Sequence, residues 1–87
     1  MDFENWLQTL ADEGGSDLYL TTGAPPSAKF DGELKPLSDE RLSPGFTRDL
    51  ACELMDGQQA REFDEKLEMN LAISLPGVGR FRVNIFK

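Results

Sequence analysis

The first apolar residues of the chain recur with the spacing of a helix. They follow the i, i+3, i+4, i+7, i+8 pattern of an amphipathic helix, in the set Phe3, Trp6, Leu7, Leu10 and Ala11. Asp2 is suited to the N-cap position, because its carboxylate can accept hydrogen bonds from amides of the first turn. Gly14 and Gly15 end the helix, since glycine adopts the left-handed conformation at a helix C-terminus without steric cost.

The residues that follow alternate with a period of two and predict strands. Residues 16–22 form one strand with Leu18 and Leu20 facing the core, and residues 23–26, Gly-Ala-Pro-Pro, form a rigid turn. Residues 28–30 and 33–34 predict a hairpin around the tight turn Asp31-Gly32. The pattern leaves the register of this hairpin open.

Helical spacing returns in the middle of the chain. A second helix opens at residues 42–44, with Ser43 as its N-cap and Pro44 at the first helical position. Its apolar face is predicted to contain Phe46, Leu50 and Leu54, with Ala51 and Met55 beside them. Asp56-Gly57 ends this helix. A short third helix is predicted over residues 58–66, with three residues facing inward: Ala60, Phe63 and Leu67.

The last part of the chain predicts a second hairpin, and its apolar faces decide the register. Residues 69–75 alternate, and so do residues 80–85. A two-residue turn at Gly77-Val78 would place Ile73 opposite Arg82 and mix core and solvent faces. A three-residue loop, Gly77-Val78-Gly79, keeps the apolar faces together, by pairing Leu75 with Phe81, Ile73 with Val83 and Leu71 with Ile85. Gly79 then supplies the left-handed residue on which such loops commonly end.

The polar face of this hairpin carries two arginines. Arg80 and Arg82 alternate with the apolar residues, and Asn84 continues their face. In this register they share a face with Ser74 and Ala72, whose side chains are too small to cover a guanidinium group. Both arginines are therefore expected to face solvent.

The element order is αβββααββ, which predicts an α+β fold with an antiparallel sheet packed against helices. The final strand pattern reaches Phe86 without a stop signal, so a further strand is expected beyond it. An unpaired edge on the final strand would invite pairing with a second copy of the chain.

Composition narrows the class of protein. The 87 residues fit one small domain, and 9 Lys and Arg against 16 Asp and Glu give a net charge of −7. Such a surface repels nucleic acid and anionic lipid, so a protein partner is favoured. Cys52 is the single cysteine, which fits a reducing compartment. The N-terminus has no basic leader, and no apolar run is long enough to span a membrane.

Arg80 and Arg82 are the one candidate site with a chemical mechanism. Arginine binds phosphate through its planar fork, and two arginines on one strand make a local positive site on an acidic body. Pairing with surface carboxylates is the alternative, and composition alone favours it.

The other candidates have simpler interpretations. Gly14-Gly15 lacks the Gly-Lys-Ser/Thr of a phosphate loop, and a helix end explains it. An acidic cluster on or near the third helix is interpreted as a solvated face and no metal site is predicted; it contains Glu62, Asp64, Glu65 and Glu68. Cys52 is predicted to be a core thiol. Phe3 and Trp6 are predicted to be core residues, although the first helix could also dock on a partner. With no histidine, no catalytic residue is predicted.

Four segments together carry a family resemblance. They are residues 14–26 (GGSDLYLTTGAPP), Gly32, the pattern Glu-x-Asn-x-Ala-x-Ser over 68–74, and Gly-x-Gly-Arg-Phe-Arg-Val-Asn-x-Phe over 77–86. In this order they resemble the N-terminal domain of the twisting-motility, or type IV pilus retraction, ATPases. Asn70 with residues 72–74, and residues 42–44, are closer to the PilU-type paralogue than to the PilT-type motor.

The resemblance implies a fold and a function. Residues 1–87 would be a PAS-like N-terminal domain, with the last family strand and the whole RecA-like ATPase domain outside this chain. The family forms cytoplasmic hexamers at the inner-membrane base of the pilus machine, where they power pilus retraction. ATP and Mg would be cofactors of the full-length protein, so this chain alone is not expected to hydrolyse ATP.

The resemblance also implies a role for the two arginines. N-terminal-domain arginines of the family help to sense nucleotide held by the RecA-like domain, and by motif match that role falls to Arg80 and Arg82. Contact with acidic residues at the domain interface is the alternative for both. The expected partners are the chain's own RecA-like domain, neighbouring subunits of a homo-hexamer and the pilus platform in the inner membrane.

A free-standing PAS-like module is the alternative from another class, either sensing a ligand or binding a protein. A ligand sensor needs an apolar pocket with a few convergent polar groups, and the inward residues are almost all aliphatic or phenylalanine. A downstream strand followed by Gly-x-x-x-x-Gly-Lys-Ser/Thr in the coding DNA would favour the motor, and a natural stop codon after Lys87 would favour the alternatives.

Overall fold

Three helices and five strands follow one another in the order that the hydrophobic pattern predicts. The computed structural model describes residues 3–87. The elements are α1 (Phe3–Glu13), β1 (Asp17–Thr21), β2 (Ser27–Phe30), β3 (Glu33–Pro36), α2 (Pro44–Leu54), α3 (Gly57–Lys66), β4 (Glu68–Leu75) and β5 (Gly79–Phe86). The predicted α+β class and element order are confirmed. The proposed N-cap Asp2 lies outside the described residues.

Helix α1 ends in a Schellman motif at the two glycines. The amide of Gly15 donates to the carbonyl of Leu10 at 2.7 Å, and the amide of Gly14 donates to that of Ala11 at 3.4 Å. This is the paired 6→1 and 5→2 hydrogen bonding that satisfies the last carbonyls of a helix. Gly14-Gly15 is therefore a helix end, as the sequence predicts.

The first hairpin closes on the tight turn that the sequence predicts. Phe30 pairs with Glu33, so Asp31 and Gly32 are the two turn residues, with φ of 50° and 79°. Positive φ at both positions is the geometry of a type I′ turn. All of β3 is exposed, and Pro36 at its end cannot donate to a further strand.

The boundary between α2 and α3 differs in detail from the prediction. Ser43 caps α2 as predicted, accepting from the amide of Phe46 at 3.1 Å. Asp56, predicted to end α2, is instead the N-cap of α3. Its side chain accepts from the amide of Gln59 at 2.8 Å, and the Gln59 side chain accepts from the Asp56 amide at 3.1 Å. This reciprocal pair is a capping box.

The buried face of α2 is rotated by one residue from the predicted face. Thr47 is only 2% exposed, whereas Phe46 and Leu54 are half-buried. Thr47 tolerates burial because its hydroxyl donates to the carbonyl of Ser43 at 3.1 Å and accepts from Thr22 at 3.0 Å. Cys52 lies on the opposite side of the helix from Leu50 and is exposed, so its prediction as a core thiol is wrong.

Leu67 also departs from its predicted place in the core. It is the C-cap of α3 with φ of 64°, and it is 54% exposed. The left-handed conformation at this residue turns the chain out of the helix and directs the side chain away from the face that Phe63 buries.

The register of the second hairpin is shifted by two residues from the predicted one. Leu75 pairs with Gly79, Ile73 with Phe81 and Leu71 with Val83. The loop is Pro76-Gly77-Val78, in which the amide of Val78 donates to the carbonyl of Leu75 at 3.0 Å and Gly77 has φ of 78°. Proline and then a positive-φ glycine are the central residues of a type II turn. Because the shift is even, the apolar residues still share a face, as predicted.

The sheet is mixed, whereas the sequence predicts an antiparallel one. Its order is β3-β2-β1-β5-β4, and β1 pairs parallel with β5, from Asp17 opposite Arg82 to Thr21 opposite Phe86. The strand β5 is therefore an interior strand, hydrogen-bonded on both sides, so the expectation of an unpaired edge on it is wrong. The sheet edges in the described chain are β3 and β4.

One face of this sheet packs against the helices, and within residues 3–87 no helix packs on the other, which we call the open face. The packed face carries Leu18, Leu20, Val83 and Ile85, each fully buried, against Leu7, Leu10, Leu50 and Phe63 of the helices. The open face carries the alternate residues of the same strands. The two arginines of β5 lie on that open face.

Candidate functional site

Arg80 and Arg82 project from the open face of the sheet. Arg80 lies opposite Ser74 and Arg82 opposite Ala72, and both arginines are exposed, as the sequence predicts. The small partners leave the guanidinium groups uncovered: the side chain of Arg82 is 73% exposed. Asn84, which continues the same alternation, is by contrast buried in the middle of the sheet, where its Nδ2 donates to the carbonyl of Leu18 at 3.2 Å.

Asp17 is the partner of Arg82, and sequence analysis did not single it out. The parallel register of β1 and β5 places the two residues side by side, and Nε of Arg82 donates to Oδ1 of Asp17 at 2.8 Å. The other carboxylate oxygen accepts from the hydroxyl of Ser16 at 2.8 Å. The amide of Arg82 donates to the carbonyl of Ser16 at 3.0 Å, which ties the two strands together at this point.

The electrostatics of this pair favour both charged forms. Burial of Asp17 tends to raise its pKa, but the hydrogen bonds from Arg82 and Ser16 and the charges of Arg82 and Lys29 outweigh it, so that the pKa lies below its usual value. The hydrogen bond to Asp17 and the charge of that carboxylate raise the pKa of Arg82 further. Both groups are ionised at neutral pH.

Arg80 and Arg82 differ in how they are held. Arg82 is fixed through Nε, whereas no ion pair or side-chain hydrogen bond holds Arg80 within residues 3–87. Lys29 lies opposite Asp17 on the other side of β1. Cations thus outnumber the single carboxylate here, which gives a local positive site in a chain of net charge −7.

A shallow depression joins these residues on the surface. It is lined by Ser16, Asp17, Ala72, Arg80, Phe81 and Arg82. Arginine side chains at such a site can bind phosphate or carboxylate oxygens through charge-assisted hydrogen bonds. The arrangement suits an anionic group supplied from outside the described chain.

The acidic cluster around α3 does not converge on one point. Asp64 pairs with Lys87, whose Nζ lies 2.6 Å from Oδ1 of Asp64 and 5.3 Å from the centre of the Phe63 ring. The hydrogen bond and charge of Lys87 hold the pKa of Asp64 below its usual value. In the part of the chain that the structure describes, no three acidic or cysteine side chains are grouped to hold a metal ion.

The aromatic residues of α1 have separate environments. Phe3 is buried, as predicted, while Trp6 is half-buried and packs against Phe46 of α2, with ring centres 5.8 Å apart. Within residues 3–87, every buried side-chain nitrogen and oxygen has a hydrogen-bond partner. The core of the described chain therefore presents no unpaired polar group of the kind that a ligand pocket uses.

Comparison with known proteins identifies relatives over nearly the whole chain. No protein-family model matches it. Two proteins of Pseudomonas aeruginosa strain PAO1 match over 86 residues, or 99% of the chain: the type IV pilus ATPase PilU at 46% identity and the type IV pilus retraction ATPase PilT at 36%. A crystal structure of the pilus retraction motor PilT with bound ADP aligns over 99% of the chain with a TM-score of 0.74 and 34% identity.

These matches define the chain as a homologue of the N-terminal part of the type IV pilus ATPases. Of the two relatives, PilU is the more similar, as residues 42–44 and 70–74 predict. The chain spans 22% of the PilU sequence and 25% of the PilT sequence, and it corresponds to their N-terminal portion and not to their ATPase domain. None of the helices within residues 3–87 is long and apolar enough to cross a membrane.

Proposed function

We propose that this chain is the regulatory and assembly domain of a hexameric ATPase that powers type IV pilus retraction and twisting motility. The observation that carries the proposal is the 46% identity to PilU over 99% of the chain. Residues 1–87 act as a PAS-like domain that precedes a RecA-like ATPase domain. ATP and Mg bind in that second domain, and the whole protein works in the cytoplasm at the inner membrane.

The mechanism is coupling between two rigid bodies. The nucleotide state of the RecA-like domain moves this domain as a unit, and the open face of the sheet meets its own or a neighbouring subunit's ATPase domain. Arg80 and Arg82 are the contact to nucleotide or to the domain interface. Their exposure on an otherwise acidic body supports this role, since a fixed positive charge stabilises charge that develops on a transferred phosphoryl group. The pilus platform is the further partner of the assembly.

The test replaces both arginines in the full-length protein. Arg80→Ala with Arg82→Ala should lower the ATPase kcat at least about tenfold, because charge stabilisation at the phosphoryl group is lost. Arg41→Ala with Arg61→Ala is the matched control, since it removes the same charge from exposed sites on α3 and the loop before α2. Circular dichroism should show that both variants are folded. Unchanged turnover and unchanged pilus retraction in the first variant would refute the proposed role.

A further inference from the structure

We propose that Asp17 is a positioning residue for Arg82, holding the guanidinium by Nε so that its two terminal nitrogens face an anionic group from another domain. This inference rests on the proposed function of the arginine pair and adds a residue to it. Asp17 acts only through Arg82 and does not touch the anion itself.

The geometry of the pair limits which part of Arg82 is engaged. Asp17 accepts from Nε at 2.8 Å, and within the described residues the two terminal nitrogens make no hydrogen bond. The planar fork that binds phosphate bidentately is therefore left available. A carboxylate that engaged the fork itself would compete with the anion.

Asp17 is itself fixed, which a positioning residue requires. It is 9% exposed, and its second oxygen accepts from Ser16 at 2.8 Å. The parallel ladder between β1 and β5 sets the backbones of Asp17 and Arg82 side by side, with the Arg82 amide bonded to the carbonyl of Ser16. The buried Asp17 carboxylate on β1 accepts hydrogen bonds from both Ser16 and Arg82, and it thus orients the exposed side chain of Arg82 on β5.

The site keeps its positive charge despite the carboxylate. Lys29 flanks Asp17 from β2, and Arg80 stands two residues before Arg82 on β5. Arg80 has no comparable partner in the described chain, so only one of the two arginines is pre-positioned. The two arginines are therefore expected to respond differently to changes at Asp17.

The decisive experiment is a double-mutant cycle in the full-length protein. Asp17→Asn should lower the ATPase kcat about tenfold with little change in KM for ATP. The reason is that a misdirected Arg82 guanidinium stabilises the charge of the transition state less well. In an Arg82→Ala background, Asp17→Asn should have no further effect, while in an Arg80→Ala background its effect should persist. Additive losses for Asp17→Asn and Arg82→Ala would overturn the positioning role. A kcat unaffected by Arg82→Ala would instead overturn the proposed function.

A second measurement, on the 87-residue chain, tests the hydrogen bond between Arg82 and Asp17 without an activity assay. The Nε–H of Arg82 should exchange with water more slowly than that of Arg80 in nuclear magnetic resonance spectra, because Asp17 protects it. Asp17→Ala, which removes the acceptor of this hydrogen bond, should abolish the difference, and Glu13→Ala, which removes an exposed acid on α1, should preserve it. Equal exchange at the two arginines in the unmodified chain would overturn the proposal even if the activity changes.

Discussion

Burial and hydrogen bonding have opposite effects on the pKa of the Asp17 carboxyl group. Its burial favours the neutral carboxyl, while Arg82, Ser16 and Lys29 favour the carboxylate and together lower the pKa. A carboxyl whose pKa is lower in the folded than in the unfolded state stabilises the fold above the unfolded value of about 3.9. That contribution is lost as the pH falls through the folded pKa. Folding and the charge of this site are therefore linked.

This linkage predicts a pH-dependent cost for Asp17→Asn. Near pH 7 the substitution should lower the free energy of unfolding by about 1 kcal/mol, a modest value because Arg82 is largely exposed to water. The difference from the unmodified chain should begin to shrink as the pH falls below the unfolded value of about 3.9, and it should be lost as the pH falls through the lower pKa of the folded state. Urea unfolding at several pH values measures it. A difference that stays constant down to acid pH would contradict the prediction.

The residues of the candidate site show what sequence alone could provide. Alternation in β5 predicts that Arg80 and Arg82 share the face opposite the core, because the period of two fixes their face regardless of the register. It does not fix the exposure of each residue on that face, since Asn84 continues the alternation and is buried. Asp17 could not be found in the same way, since its contact with Arg82 joins residues 65 positions apart. In the sequence, the signal for Asp17 as a site residue is weak, because it consists only of a carboxylate that alternates with Leu18 and Leu20 on the polar side of a strand.

Capping residues decide where the helices begin and end, and Asp56, the N-cap of α3, is an example. The sequence predicts that Asp56-Gly57 stops α2, whereas Asp56 starts α3 through the capping box with Gln59. The Asp-x-x-Gln spacing carries that signal. Two helices separated by so short a linker share their boundary residues, and a single local pattern then has two interpretations.

The capping box predicts a stability loss for Asp56→Ala. Removing the side chain leaves the Gln59 amide without its acceptor, and the free energy of unfolding should fall by about 1 kcal/mol. Asp49→Ala is the control, because this exposed residue lies within α2 and should change the free energy by less than about 0.5 kcal/mol. Urea unfolding compares the two. Equal effects would mean that the cap does not stabilise α3.

Strand registers were predictable only in part, for a physical reason. The first hairpin has a type I′ turn, which requires positive φ at both central residues. Few residue pairs adopt it readily, and Asp31-Gly32, which does, forms that turn in the structure. In the second hairpin, the apolar pattern cannot separate registers that differ by two residues, because both keep Ile73 on the core face. Pro76-Gly77, the preferred centre of a type II turn, was the local signal that distinguishes them.

At the scale of the molecule, the parallel pairing of β1 with β5 joins the first and the last strand of the sheet. Periodicity could not predict this pairing, since an alternating strand presents the same faces to a parallel and an antiparallel neighbour. The pairing places β5 inside the sheet, between β1 and β4, and makes the first hairpin and the last hairpin parts of one core. Such a core is expected to unfold as a single unit.

Ile85→Ala tests that cooperativity, because Ile85 is fully buried on the interior strand β5. The substitution should lower the free energy of unfolding by about 3 kcal/mol through lost burial and the cavity left behind. Leu34→Ala on the edge strand β3, where the side chain is 58% exposed, should lower it by less than about 0.5 kcal/mol.

Far-ultraviolet circular dichroism follows the whole chain, and Trp6 fluorescence follows the contact of α1 with α2. Both should report the same urea midpoint for Ile85→Ala, shifted equally. A Trp6 transition that keeps its original midpoint would show that the helices near Trp6 are stable without the interior strand β5, which a single shared core does not allow.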